Sequence, residues 1–337
     1  MGSSRLAWRS EPRLGVPYLR DEENRTTGKR SKRVSVAIAR SAPVYLDKRA
    51  SLAKALDLIL QAAKRDAQLV AFGETWLPGY PAWLDVCPGA ALWENTSAKD
   101  IFAKLRNNSI TVPGEEVNAL SEAARDLKIA IVIGASERVD AGPGNGTLYN
   151  SLLTISEDGL LRNHHRKLVP TYTERLVWGN GDGRGLEAVP TSVGRVGGLI
   201  CWEHWMPLAR MALHNSGEHI HVAAWPTVHE LHQLASRHYA FEGRCFVLAV
   251  GLMMSAEDLP RELRHGVTLQ PGDGQWIERG GSAIVGPDSL YVLDPVFDRE
   301  ELLVSDLDLT QIDREMMTFD VSGYYSRPDL FRFEKNV

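Results

Sequence analysis

Three residues, two at the ends of apolar runs and one in a charged loop, carry the chemistry this chain has to offer. Cys201 stands where the run GRVGGLI gives way to CWEHWMPLARMAL, an amphipathic stretch that reads as a helix. A thiol at a strand-to-helix switch sits at the C-terminal end of a sheet and faces amide donors of the following backbone. Those conditions are expected to lower its pKa and present a thiolate. Glu74 follows Leu69-Val70-Ala71-Phe72-Gly73, so a buried strand delivers a carboxylate to a rim loop, where partial desolvation raises its pKa into the range of base work. Lys167 lies in LRNHHRKLVPTYTERLVWGNGDG, read as a loop from Pro170 and the later glycines, and offers a fixed cation to developing negative charge. Glu174, in the same stretch, can order Lys167 or a water, although an ion pair with Arg175 is equally open. Taken singly, each has an ordinary reading: an inert small hydrophobe, a solvated glutamate, an exposed lysine.

The elements that must position these groups alternate along the chain. Val34 to Ala39 reads as a buried strand, Leu52 to Ala63 as a helix on a sheet, and Gln68 to Phe72 as a second strand. Further strands are expected at Ile129 to Gly134, Ser151 to Ile155, Val193 to Ile200, Ile220 to Ala224 and Cys245 to Val250. Helices are expected near Glu115 to Leu127, Pro207 to Ser216 and His229 to Glu242. Gly286, Pro287 and Asp288 separate Ser282 to Val285 from Ser289 to Leu293, a hairpin signal. This interleaving predicts a layered α/β protein with mixed sheets. TWLPGYPAWLD after Glu74 crowds Trp76, Tyr80 and Trp83 around prolines and a glycine, as a rigid turn beside an apolar pocket would.

Bulk properties limit the surroundings. The 337 residues can bury a substantial core, 44% are hydrophobic, and the net charge is −5, so nucleic acid is a poor default partner. Cys87, Cys201 and Cys245 are too few and too scattered for a disulfide framework or a thiolate zinc site, so free thiols and a reducing, cytoplasmic compartment are expected. No apolar run approaches a membrane span. Residues 1–31 are polar and arginine-rich and read as a flexible arm, 32–318 as the organised domain, and 319–337 as a C-terminal segment at a subunit interface.

Taken together, the motifs resemble the nitrilase superfamily of carbon-nitrogen hydrolases, and its nitrilase branch in particular. GETWLPGYP resembles the glutamate motif, HRKLVPTYTER the lysine motif with its second glutamate, and CWEHWMPLARMAL the nucleophile motif. CWEH discriminates best, because amidase branches usually follow the cysteine differently. The resemblance runs from about Val34 through GYYSRPDLF.

That resemblance implies a four-layer αββα sandwich in which Glu74, Lys167 and Cys201 converge, with Glu174 as a further participant and no metal or organic cofactor. It implies hydrolysis of a nitrile to the acid and ammonia through a thioimidate and a thioester, with an amidase as the nearest alternative. Trp202, Tyr80 and Trp225 are expected at the pocket or oxyanion support. Glu203, His165 and Asn150 are expected to hold the surrounding segments. The CWEHW form resembles nitrilases acting on arylacetonitriles and related aliphatic substrates. Family members assemble through a helix beside the nucleophile, so a homodimer or longer, spiral homo-oligomer is expected, with no nucleic acid or membrane partner. One departure is Tyr324, where the family commonly has histidine in a GHYSRPD-like segment. Two readings lie outside this one: a metal site from His219, His221, His229 and His232, and a catalytically silent scaffold.

Overall fold

Alternation along the first strand decides how the layers stack. The computed structural model describes residues 33–264, 267 and 275–336; the expected arm at 1–31 lies outside the described residues. In β1 (Arg33–Arg40), Val34, Val36 and Ile38 point into one apolar cluster while Ala37 and Ala39 point into another, so this strand is buried on both faces.

The first half of the chain continues with α1 (Lys48–Ala63), β2 (Leu69–Ala71), α2 (Trp83–Val86), α3 (Thr96–Asn108), α4 (Glu115–Leu127), β3 (Ala130–Arg138), β4 (Leu148–Ile155) and β5 (Leu161–Arg166). The second half contains β6 (Val189–Thr191), β7 (Gly194–Ile200), α5 (Pro207–Asn215), β8 (Ile220–Trp225), α6 (Glu230–Gly243), β9 (Phe246–Gly251), β10 (Met253–Ser255), β11 (Trp276–Val285), β12 (Tyr291–Phe297), β13 (Glu301–Asp308) and α7 (Thr310–Glu315).

Two mixed sheets result. One has the order β13-β1-β2-β3-β4-β5, and the other β10-β11-β9-β8-β7-β6 with β12 added beside β11. Parallel pairs occupy the middle of each, β1/β2/β3 and β7/β8/β9. Val36, Ile38, Leu69, Ala71 and Val132 from the first sheet share a cluster with Leu199, Val222 and Leu248 from the second. The opposite face of the first sheet packs Val70, Ile131 and Ile133 with Ile59 of α1 and Leu120 of α4. The α5 and α6 residues Leu213, Ala235 and Tyr239 belong to the cluster of the second sheet, which gives the αββα order of layers. Gly198 permits the close approach of the sheets, since a Cβ there would stand 2.6 Å from Leu152 Cδ2.

Most expected elements lie where the hydrophobic pattern put them, and α4 has the predicted bounds. The exceptions have physical reasons. The lysine segment opens as strand β5, whose sequence LRNHHR gives no hydrophobic signal. Its inward side chains are polar and find partners: Asn163 donates to the carbonyls of Gly185 and Glu187, and His165 meets Glu203. CWEHW is not the start of the expected helix but a separate 3₁₀ turn, Cys201–Trp205, and α5 begins at Pro207, whose fixed φ suits a first helical position. β13 also escaped the pattern, yet it pairs with β1 along its whole length. Among the described residues, no helix is long and apolar enough to cross a membrane.

Candidate active site

Glu74 is carried into the interior just past the end of β2. The backbone turns sharply there, with Thr75 at φ +45°, and β3 comes so close that a Cβ on Gly134 would stand 2.3 Å from the Gly73 carbonyl oxygen. Rather than lying at a rim, as expected, Glu74 is fully buried. Its Oε1 accepts hydrogen bonds from Asn150 Nδ2 of β4 at 2.6 Å and from Lys167 Nζ at 2.9 Å. Its Oε2 is buried with no hydrogen-bond partner among the described residues, leaving a lone pair for an incoming proton.

Lys167 follows the last residue of β5, and its backbone N–H donates to the Asn150 carbonyl at 2.7 Å. Its ammonium is buried and reaches both oxygens of Glu174, at 2.9 and 2.7 Å, as well as Glu74. Glu174 sits in a 3₁₀ turn, Tyr172–Leu176, entered through Tyr172 at φ +47°. It is fixed by the Thr171 N–H at 2.7 Å and the Tyr80 hydroxyl at 2.9 Å. The alternative ion pair with Arg175 is not the one formed; Glu174 is turned inward.

Cys201 follows the last residue of β7 with φ +51°, a conformation that costs a non-glycine residue about 1–3 kcal/mol and persists only where its surroundings hold it. Glu203 supplies much of that hold. Its carboxylate accepts from the backbone N–H of Ile200 and of Leu168, both at 2.8 Å, and faces His165 Nε2 at 2.9 Å. One buried carboxylate thus ties the Cys201 turn to the lysine segment. The result is convergence: an oxygen of Glu74, an oxygen of Glu174 and the Cys201 sulfur all lie within 4.8 Å of one another.

The electrostatics assign protons. Burial raises the Glu74 pKa and Lys167 pulls it down; with Glu174 adding to the rise, it settles at about 7. For Lys167, burial alone would favour the neutral amine, but the carboxylates of Glu74 and Glu174 outweigh it and hold the pKa above its ordinary value. The expectation of a depressed thiol pKa is corrected. Burial pushes Cys201 well up, against the opposing pull of Lys167 and the Trp202 N–H, so the resting group is a thiol. Burial would also raise Glu203, yet His165 and the two backbone donors bring it below the usual range.

The remaining expected residues divide between the interior and the surface. Tyr80 is the hydroxyl donor to Glu174, Asn150 the amide donor to Glu74 and His165 the partner of Glu203. Trp225 is wholly buried and stacks on His204 with centroids 4.4 Å apart. The Trp202 side chain turns outward against Trp205 and His232, while its backbone N–H faces the Cys201 sulfur. Tyr324 is exposed, its hydroxyl reaching the carbonyls of Met316 and Met317.

The four histidines of the metal reading do not converge. His221 pairs with Glu218 and His204, and His232 accepts from the His229 N–H. Among the described residues, the grouping with ligand spacing is Glu74, Glu174 and Cys201, which takes in none of them. Sequence reasoning named His221 only as a metal ligand and missed Glu218, Tyr239 and their linkage through His221 to His204 behind the cysteine. The only available signal was the pair of polar residues at Glu218 and His221 against an otherwise apolar strand.

The family model described as carbon-nitrogen hydrolase matches residues 35–314. An aliphatic nitrilase of Sinorhizobium fredii (strain HH103) is 39% identical over 300 residues, covering 88% of this chain and 93% of its own length. An arylacetonitrilase of Aspergillus kawachii (strain NBRC 4308) is 36% identical over 315 residues, covering 89% and 91%. Among solved structures, a carbon-nitrogen hydrolase from Helicobacter pylori G27 superposes with a TM-score of 0.66 at 18% identity, covering 90% of this chain and all of that one, a likeness of fold.

Proposed function

Because this chain belongs to the carbon-nitrogen hydrolase family, on its nitrilase branch, we propose that Cys201, Glu74, Lys167 and Glu174 together hydrolyse an organic nitrile to the carboxylic acid and ammonia. The observation that carries this reading is the Glu74 carboxylate, with a pKa near 7 and one oxygen free of hydrogen-bond partners among the described residues, placed so that one of its oxygens lies within 4.8 Å of the sulfur of a buried neutral thiol. Such a thiol needs a base to become a nucleophile, and this one has it at hand.

Glu74 takes the thiol proton as sulfur attacks the nitrile carbon, and the proton passes to the nitrogen to give a thioimidate. Lys167 and the Trp202 N–H stabilise the charge that develops at that nitrogen. Glu74, ionised again, deprotonates a water that adds to the thioimidate carbon; the protonated nitrogen leaves as ammonia and a thioester remains. A second water, activated the same way, releases the acid and restores the thiol, so two waters are consumed per nitrile. Glu174 holds Lys167 through both oxygens and keeps its charge aimed at the reacting centre. If the tetrahedral species expels sulfur before nitrogen, an amide leaves instead.

The substrate side chain is aromatic, arylaliphatic or otherwise apolar. The aromatic turn around Tyr80, whose ring lies 5.9 Å from that of Trp178, supports this, as do the relatives named for aliphatic nitriles and arylacetonitriles. Assembly is through α5, α6 and the turn before them, where Trp205, Leu208, Leu231, Leu234 and Phe241 are exposed together. A cytoplasmic setting fits three free cysteines.

Time-resolved product analysis tests the reaction, with phenylacetonitrile, mandelonitrile, benzonitrile and a short aliphatic dinitrile beside the matched amides. Acid and ammonia from a nitrile, lost in Cys201→Ala with the fold retained, is the expected result. Amide hydrolysis without nitrile turnover would transfer the site to amidase chemistry.

A further inference from the structure

Behind the nucleophile, on the side away from Lys167, runs a buried chain of polar groups that the reaction above does not use. His204 Nδ1 lies 2.7 Å from the Cys201 carbonyl oxygen, His204 Nε2 lies 2.9 Å from His221 Nε2, and His221 Nδ1 lies 2.6 Å from Glu218 Oε1. The Tyr239 hydroxyl donates to Glu218 Oε2 at 2.7 Å. All four side chains are at least nine-tenths buried. Space for Glu218 comes from Gly197 of β7, where a Cβ would stand 2.1 Å from Glu218 Oε1.

Hydrogen-bond logic fixes where the protons are. A carbonyl oxygen only accepts, so His204 Nδ1 carries a hydrogen. Burial and His221 hold His204 neutral, its pKa well below the ordinary value, so its Nε2 is a bare acceptor. His221 Nε2 must then be the donor. A neutral His221 therefore has a bare Nδ1, and the contact to Glu218 requires a proton between them. Burial, which pushes the Glu218 carboxyl up to about 8, places that proton on the carboxyl.

We infer that the proton held between Glu218 and His221 locks the peptide unit behind the Cys201 nucleophile, making Glu218, His221 and His204 positioning residues for the reaction. The peptide unit in question has its oxygen held by His204 and its N–H, that of Trp202, facing the sulfur. Binding the oxygen polarises the unit and strengthens the N–H as a donor to developing negative charge. It also holds Cys201 in its left-handed conformation.

Removing the proton reverses the chain. Anionic Glu218 draws the remaining hydrogen of His221 to Nδ1, which leaves two bare Nε2 atoms facing each other 2.9 Å apart. His204 escapes that repulsion only by moving its own hydrogen to Nε2, and the Cys201 carbonyl is released. The other ionisable groups packed around the chain are Glu203 in the same turn, Arg210 and His214 of α5, His232 and Glu242 of α6, His165 of β5, and Cys245. Arg210 donates to the His204 carbonyl and is paired with Glu242, which also meets His214, so the nearest charges beyond the chain are neutralised among themselves.

The inference rests on Cys201 as the nucleophile, and its test separates the two. In the full-length enzyme with ¹⁵N-labelled histidine, two-bond ¹H–¹⁵N correlations report each tautomer without any turnover. At pH 7 the expected forms are Nδ1–H for His204 and Nε2–H for His221, with His204 passing to Nε2–H as pH rises through about 8. Glu218→Gln keeps a donor toward His221 and an acceptor for Tyr239 but has no proton to lose. Its kcat is expected within about threefold of the parent at pH 7, with KM unmoved and the decline of kcat above about pH 8 abolished. His204 as Nε2–H at pH 7, or a Glu218→Gln profile that declines as the parent does, would overturn the inference. If the Gln variant does not fold, the parent titration decides alone. Nitrile turnover surviving in Cys201→Ala would overturn the nucleophile assignment while leaving the tautomer result standing.

Discussion

Two glutamate clusters flank Cys201 and solve the same problem in opposite ways. On one side Glu74 and Glu174 share the Lys167 ammonium, and that fixed cation keeps the fully buried Glu74 ionisable near neutrality. On the other, Glu218 is hydrogen-bonded to His221 and Tyr239, with no lysine or arginine among its partners in the described residues, and the carboxyl keeps its proton to about pH 8. Glu203, between them, is ionised by a third means, two backbone N–H donors and a histidine. Burial alone does not set the charge of a carboxyl; the donors brought to it do. The charged cluster can exchange protons with a substrate, whereas the neutral one is suited to holding geometry.

Removing the cation should erase that distinction, with the largest effect. Lys167→Met leaves two buried carboxylates facing each other, so a loss of about 10³-fold in kcat is expected together with about 3–5 kcal/mol of folding stability. Single-turnover kinetics and denaturant unfolding, read on the same preparation, check both. A folding loss with the chemical step intact would make Lys167 structural.

The two clusters should also mark opposite limbs of the pH profile. Glu74 works as a base only when ionised, and its pKa is raised to about 7, so kcat/KM should fall about tenfold per unit as pH drops below that value. A flat acid limb down to about pH 5 would remove Glu74 from the base role.

Gly197→Ala disturbs the neutral cluster alone, since the new Cβ would meet Glu218 Oε1 at 2.1 Å and Leu213 Cδ1 at 2.5 Å. A cost of about 1–3 kcal/mol in thermal or denaturant unfolding is expected. The smallest and sharpest comparison is between two tyrosine hydroxyls, one donating to each cluster. Tyr80→Phe removes a donor from a carboxylate ion-paired with Lys167 and should cost about 1.5–3 kcal/mol, against about 0.5–1.5 for Tyr239→Phe at a protonated carboxyl. Equal losses in matched unfolding curves would mean the two glutamates carry the same charge.

Much of this arrangement was legible before any coordinates. Strands β1, β2, β7 and β8 are short apolar runs, and Glu74 and Cys201 stand just past the ends of β2 and β7, where a parallel sheet gathers residues distant in sequence. β5 was not legible, because its inward residues Asn163 and His165 are polar and are satisfied by partners outside the strand. The orientation of Glu174 was not legible either: Arg175 is its neighbour in sequence, and only the turn entered through Tyr172 directs it to Lys167.

By itself, then, the sequence determined the alternation of strands and helices, because periodicity is a local property, while the four layers and the proposed reacting groups came from the resemblance of its motifs to the nitrilase superfamily. Only the tertiary structure decided their protonation. The thiol expected to be acidic is held neutral, and Glu218, unremarkable in the sequence, becomes an acid behind the nucleophile. The physical reason is common to both: a pKa depends on water excluded and donors supplied by segments far apart in the chain, and packing alone brings those together.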